Sequence, residues 1–202
     1  MTDIIFFDTD CLSAFLWIND QCLLGKLYSG RIVIPGEVYD ELSNPSIRHL
    51  KQRLDQLIES GAARIEEIEV DSKEYELYQK LISDPDEGHA IIGRGEASAI
   101  VLAWQDDGVL ASNNLRDVSV YVEEFQLKHM TTGDILKEAL AQGLIDEDEG
   151  NVLWAQMLQK RRRLGYDSFS AFLEANNDSI YSVPEDHNYV AEQEWFCLYI
   201  AG

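Results

Sequence analysis

Short apolar runs alternate with helical segments along most of the chain, and this alternation constrains the fold more than any other feature. Four runs have the length and the β-branched and aromatic content of core strands, at residues 3–8, 31–35, 108–112 and 127–132. A fifth run, "ARIEEIEV" at 63–70, alternates as an edge strand does. Strands separated by helices predict an α/β fold in which a parallel sheet is covered on both faces.

The composition is that of an ordinary globular protein. With 202 residues and 46% hydrophobic content, the chain can build one sizeable core, or one domain plus an appendage. No apolar run is long enough to cross a bilayer and no targeting segment precedes the first strand, so we expect a cytoplasmic protein without a membrane partner. Three cysteines without paired spacing favour a reducing compartment and no zinc site.

The net charge restricts the partners of this chain. It carries 37 acidic and 16 basic residues, a formal charge of −21, and should repel nucleic acid at long range. Nucleic-acid binding would therefore need a local remedy: divalent cations, a basic cluster or a basic partner. The one dense basic run, "QKRRRLG" at 159–165, is either a solvated helix face or a guide for an RNA backbone through Arg161, Arg162 and Arg163.

Acidic residues follow several of the predicted strands. Sites in parallel sheets lie beyond the carboxyl ends of the strands, and Asp8 ends the first one. Asp10 is expected to cap the next helix, which leaves Asp8 for a role in a site. Each of the other acids has a plain alternative explanation as a solvated or helix-capping residue: Glu41 beside Leu42, Glu96 in a first turn, and Asp117 after a turn.

Taken together, these acids point to a cation. Carboxylates gathered at one end of a sheet cannot all ionise without a compensating positive charge. A hard cation that prefers oxygen ligands, Mg²⁺ or Mn²⁺, suits such a group. The sequence contains no HExxH, GxSxG or GxxxxGK motif that would indicate another chemistry.

Five short motifs, in this order, resemble those of the PIN-domain ribonucleases: "FFDTDCLSAF", "IPGEVYDEL", "GEASAIVLA", "VLASNNLRDV" and "TTGDIL". The resemblance covers roughly residues 3–145. It implies a three-layer α/β/α sandwich with a mostly parallel central sheet, an acidic pocket that holds Mg²⁺ or Mn²⁺, and hydrolysis of single-stranded RNA. Many members of the family are toxins of toxin–antitoxin pairs.

The resemblance also assigns the site residues. Asp8, Glu41 and Glu96 match three acids that bind metal and are catalytic, and the fourth position falls on Asp117 or Asn113. The supporting polar residues are Thr9, Asp10, Ser112 and Arg116. The implied mechanism is hydrolysis by a metal-activated water, without a histidine or lysine base.

The resemblance divides the chain into a nuclease domain at 1–145 and a helical extension at 146–202. The extension ends in the apolar "WFCLYI", so we expect it to pack on the domain or on a partner in a homodimer. A basic antitoxin-like protein that inserts Arg or Lys into the acidic pocket would also suit the net charge.

Two other functions remain open at this stage. In a haloacid-dehalogenase-type phosphatase, Asp8 would be the nucleophile and Asp10 the general acid, but Glu41 and Glu96 would have no role and Lys128 would lie within a strand. A degenerate PIN-like domain would only bind a partner, and the amides at Asn113 and Asn114, in place of acids, keep that alternative open.

Overall fold

A five-stranded parallel sheet lies at the centre of the protein. The computed structural model describes residues 3–86 and 89–176. The sheet has the order β3-β2-β1-β4-β5, with every neighbouring pair parallel. Its strands are β1 (Ile5–Phe7), β2 (Ile32–Pro35), β3 (Ala63–Glu66), β4 (Val109–Ala111) and β5 (Lys128–Met130).

Helices cover both faces of this sheet. In chain order they are α1 (Thr9–Ile18), α2 (Gln21–Tyr28), α3 (Gly36–Leu42), α4 (Arg48–Glu59), α5 (Lys73–Ser83), α6 (Arg94–Gln105), α7 (Leu115–Glu124), α8 (Thr132–Ala141), α9 (Glu147–Gln159) and α10 (Phe169–Ala175). A short 3-10 turn, Pro45–Ile47, precedes α4. None of the helices within the two described ranges combines the length and the apolarity needed to cross a membrane.

Consecutive strand residues supply two separate cores. Phe7 joins the cluster that packs beneath α1, α4 and α8, whereas its neighbour Phe6 joins the cluster beneath α6 and α7. Side chains alternate between the faces of a strand, so a strand covered on both faces must be apolar at every position. The predicted three-layer α/β/α sandwich is therefore confirmed.

The five predicted strands are all present, but one occupies a different position from the one expected. The run at 127–132 was predicted to be a core strand, yet β5 is an edge of the sheet with its Lys128 side chain exposed. Its apolar content reflects the half-buried Met130 and the cover supplied by α8 rather than burial on both sides.

Helices α9 and α10 pack against α1 and α8. The Phe169 ring lies over Gly150 of α9, and the Phe172 ring lies over Gly133 of α8, where a Cβ atom would come within 2.4 Å of a ring carbon. Both phenylalanines and Trp154 belong to the same buried cluster as Phe7. The division at residue 145 stays a prediction, and the predicted packing of the segment 177–202 falls outside the described residues.

Candidate active site

Asp8 joins the end of β1 directly to the start of α1. Its N–H donates to the Ala111 carbonyl on β4 at 3.0 Å, which continues the sheet by one residue. Its Oδ1 accepts from the Cys11 N–H at 2.7 Å and so caps the helix. The prediction that Asp10 is the cap is wrong, because the helix begins at Thr9 and leaves no linker after the strand.

The second oxygen of the Asp8 carboxylate is left without a partner. The residue is 0% exposed, and Oδ2 has no hydrogen-bond partner among the described residues. Burial raises the pKa of Asp8 to about 7; the Ser112 hydroxyl and the Cys11 N–H oppose this effect, and the charges of Asp10 and Glu96 add to it. The Ser112 hydroxyl therefore lies near the carboxylate, although Oδ2 accepts no hydrogen bond from it within the described residues.

Glu41 connects three helices around the same point. From α3, its carboxylate accepts a hydrogen bond from the Thr9 hydroxyl on α1 and another from the Gly95 N–H on α6, the latter at 3.1 Å. A Cβ atom on Gly95 would lie 2.6 Å from the Thr9 Oγ1 and 2.9 Å from a Glu41 carboxylate oxygen. The absence of a side chain at Gly95 therefore lets Glu41 reach this position.

Glu96 and Asp117 share the side chain of Asn114. The Asn114 Nδ2 lies 2.5 Å from Glu96 Oε1 and 2.8 Å from Asp117 Oδ2, and the Gly93 N–H donates to the other oxygen of Glu96 at 3.1 Å. Asn113, the alternative fourth ligand, instead exchanges two hydrogen bonds of 2.9 Å with Thr132 on α8. The amide that contacts the predicted acids is thus Asn114, not Asn113.

An open pocket of about 180 Å³ lies beside these groups. It is lined by Thr9, Asp10, Ser13, Glu41, Gly93, Gly95, Glu96 and Arg162. Arg162 enters it from a distant part of the chain, and its Nη1 donates to Asp10 Oδ1 at 3.2 Å and to Ser13 Oγ at 3.1 Å. One of the two interpretations of the basic run placed it on a solvated helix face, but α9 ends at Gln159, ahead of the three arginines.

The remaining predicted residues lie in different surroundings. Ser112 is buried, whereas Arg116, Arg161 and Arg163 are exposed. Three contributors to the site were not singled out from the sequence: Gly95, Ser13 and the bridging role of Asn114. Only Gly95 left a sequence signal, the glycine directly before Glu96, whereas the other two depend on contacts across the fold.

The donor atoms suit a hard cation, although they are not assembled around one. Carboxylate and amide oxygens are ligands that Mg²⁺ and Mn²⁺ accept, and the buried, partnerless Oδ2 of Asp8 is a natural ligand atom. Within residues 3–86 and 89–176, however, no three Asp, Glu, His or Cys side chains are grouped to hold a metal ion. The Glu41 and Glu96 carboxylates contact protein donors instead.

Comparison with protein families identifies the family of this chain. A family model for the PIN domain matches residues 4–178. Neither the curated proteins nor the solved structures gave a match. The matched segment covers well over half of the sequence and includes the sheet, the pocket and Arg162. The chain therefore belongs to the PIN-domain family, a family with a nuclease fold.

Proposed function

We propose that this protein is an endoribonuclease that uses Mg²⁺ or Mn²⁺ to hydrolyse phosphodiester bonds of single-stranded RNA. One observation carries the proposal: the Asp8 carboxylate is fully buried, one of its oxygens has no hydrogen-bond partner in the described part of the chain, and it lies near enough to Asp10 and Glu96 of the acid-lined pocket for their charges to raise its pKa. A buried carboxylate of this kind is costly to ionise unless a cation accompanies it. Membership of a family with a nuclease fold supports the same conclusion.

Each predicted acid has a defined contribution. Asp8, Glu41, Glu96 and Asp117 would hold the ion, which when bound supplies a water of lowered pKa and neutralises charge on the phosphate. The Thr9 hydroxyl and the Gly95 N–H orient Glu41. Asn114 orients Glu96 and Asp117 towards each other. Ser112 and the Cys11 N–H both favour the ionised form of Asp8.

The structure gives the phosphatase alternative little support. In that mechanism a lysine would assist the Asp8 nucleophile, and Lys128 was the candidate. Its Nζ lies 3.1 Å from Asp3 and 3.9 Å from Asp107. These two acids precede β1 and β4, so Lys128 lies at the amino-terminal end of the strands. Asp8 lies at their carboxyl-terminal end. Asp10, the candidate general acid, is paired with Arg162.

A cleavage assay on a labelled single-stranded oligoribonucleotide tests the proposal. We expect internal cleavage with Mg²⁺ or Mn²⁺ and none with a chelator. Asp8→Asn, Glu41→Gln and Glu96→Gln should abolish it. Glu37→Gln is the matched control: Glu37 lies on the same helix as Glu41, but it bonds the Tyr78 hydroxyl at 2.8 Å and does not line the pocket.

Three results would contradict the proposal. Cleavage that survives Asp8→Asn would exclude Asp8 from the chemistry. A wild-type protein that neither cleaves RNA nor binds Mg²⁺ or Mn²⁺ in a titration would favour the degenerate, partner-binding alternative. Trapping of Asp8 by a fluorophosphate would revive the phosphatase.

We also propose a protein partner, an oligomeric state and a location for this nuclease. The charge of −21 and the acid-lined pocket suit a basic antitoxin-like partner, as in a toxin–antitoxin pair. A homodimer and a cytoplasmic location complete the proposal. Co-expression with a small basic protein encoded next to this chain, followed by measurement of RNA cleavage, would test the toxin role.

A further inference from the structure

The end of α9 places one arginine in the pocket. Lys160 is the C-cap residue of α9, and Arg161 adopts a left-handed conformation with φ of 59°. The Arg161 N–H donates to the Leu158 carbonyl at 2.8 Å and the Arg162 N–H donates to the Met157 carbonyl at 3.1 Å. These two hydrogen bonds define a Schellman motif, which fixes the direction of the chain at Arg162.

Two of the three nitrogens of the Arg162 guanidinium are held by the protein. Its Nε donates to the Lys160 carbonyl at 3.2 Å, and its Nη1 donates to Asp10 and Ser13. Among the described residues, Nη2 makes no hydrogen bond, so two N–H donors remain available. The side chain is 23% exposed and lines the pocket. The group is therefore oriented by the protein but not saturated by it.

We propose that Arg162 binds a phosphate group of the RNA within the acidic pocket and so positions the substrate; this inference rests on the proposed nuclease function. Arginine donates to phosphate from a planar group of N–H donors of fixed orientation, and here Nε and Nη1 are held by the protein while both N–H groups of Nη2 are available. The other charged side chains of the pocket, Asp10, Glu41 and Glu96, are acidic. Arg162 is thus the pocket residue whose positive charge attracts an anionic substrate.

The contacts of Arg162 argue against self-inhibition. An arginine that blocked the site would pair with the acids proposed to hold the metal. In the described ranges, Arg162 forms no ion pair or hydrogen bond with Asp8, Glu41 or Glu96, and its carboxylate partner is Asp10. Asp10 consequently acts as a positioning residue for Arg162, with Ser13 as the second contact.

Binding of a single-stranded oligoribonucleotide, followed by fluorescence anisotropy, tests the role of Arg162. We would measure it with Mg²⁺ in the Asp8→Asn background, which blocks cleavage, at several salt concentrations. Arg162→Gln should weaken binding about tenfold, as expected for the loss of one phosphate contact. The salt slope, which is the steepness with which the logarithm of the binding constant falls with the logarithm of salt concentration, should decrease by about 0.7. Arg162→Lys should recover part of the affinity.

Arg64→Gln is the charge-matched control, since Arg64 is an exposed residue of β3 that pairs with Glu66. It should leave affinity and salt slope close to those of the parent. Equal effects of Arg162→Gln and Arg64→Gln, or no effect of either, would overturn the inference. Thermal melting of every variant shows whether loss of the Arg162–Asp10 contact acts through folding, and full affinity in a destabilised Arg162→Gln variant would also overturn it.

The assay separates this inference from the proposed function. If the wild-type protein cleaves RNA and Arg162→Gln changes neither KM nor kcat, the inference is overturned and the proposed nuclease function stands. RNA binding that depends on Arg162 without any cleavage overturns the nuclease function and supports the inference. A protein that neither binds nor cleaves RNA overturns both.

Discussion

Asp8 should make the stability of the metal-free protein depend on pH. Its pKa is raised from 3.8 to about 7 by burial, so the native state holds a proton that the unfolded state has lost between these values. Its stabilising contribution is complete below pH 3.8 and is lost as the pH rises through about 7, with a total of about 4 kcal/mol. Asp8→Asn keeps an oxygen for the Cys11 N–H and removes this loss.

We therefore expect Asp8→Asn to raise the melting temperature at pH 8 much more than at pH 5, in the presence of a chelator. The exposed Asp40 on α3 provides a comparison, because Asp40→Asn should change the melting temperature little at either pH. An equal shift for Asp8→Asn at both pH values would show that burial does not govern the Asp8 carboxylate.

Gly95 should matter for activity more than for stability. In Gly95→Ala the new methyl would press on Thr9 and Glu41, and the exposed end of Glu41 can move aside at small cost. Misplacing a metal ligand by about an ångström costs on the order of a hundredfold in rate. Gly93→Ala should have a much smaller effect, because its Cβ would lie 3.4 Å from Glu96, an ordinary contact. Cleavage rates and urea midpoints of both variants check this prediction.

At the scale of elements, the termini of helices connect the site to the fold. The carboxylate of Asp8 caps α1, Glu96 accepts from the N–H before α6, and Glu41 contacts the first turn of α6. Acids are favourable at such positions, because helix N-termini carry partial positive charge. The same residues can therefore stabilise their helices while they serve a site, which explains why each one also allowed a purely structural interpretation.

The C-terminal turn of α9 carries strain that a glycine would relieve. Arg161 has φ of 59°, where a residue with a Cβ is disfavoured by roughly 1–2 kcal/mol. Arg161→Gly should raise the free energy of unfolding by about 1 kcal/mol. Urea denaturation measures this change, provided that the dependence of the unfolding free energy on urea concentration is the same for both proteins. Gly165→Ala, at φ of 80°, should lower it by about the same amount. Shifts of equal sign would contradict the backbone explanation.

At the scale of the whole molecule, the sequence predicts the sheet better than the pocket. Strands buried on both faces leave continuous apolar runs, as at Phe6 and Phe7, and these are visible without a structure. Strand order is not encoded in such runs, so the edge position of β5 could not be foreseen. Arg162 and Asp10 lie 152 positions apart, and no local pattern signals a contact that the packing of α9 against α1 creates.

The packing of α9 and α10 gives the last prediction, which concerns the division at residue 145. Trp154, Phe169 and Phe172 share one buried cluster with Phe15 of α1 and Leu136 of α8. A chain that ends at residue 145 would expose that surface and lose at least about 5 kcal/mol, comparable with the whole stability of a domain. We expect the full chain to melt in one transition and the shortened chain to be unfolded or molten. Cooperative melting of the shortened chain near the wild-type temperature would instead establish residues 1–145 as an independent domain.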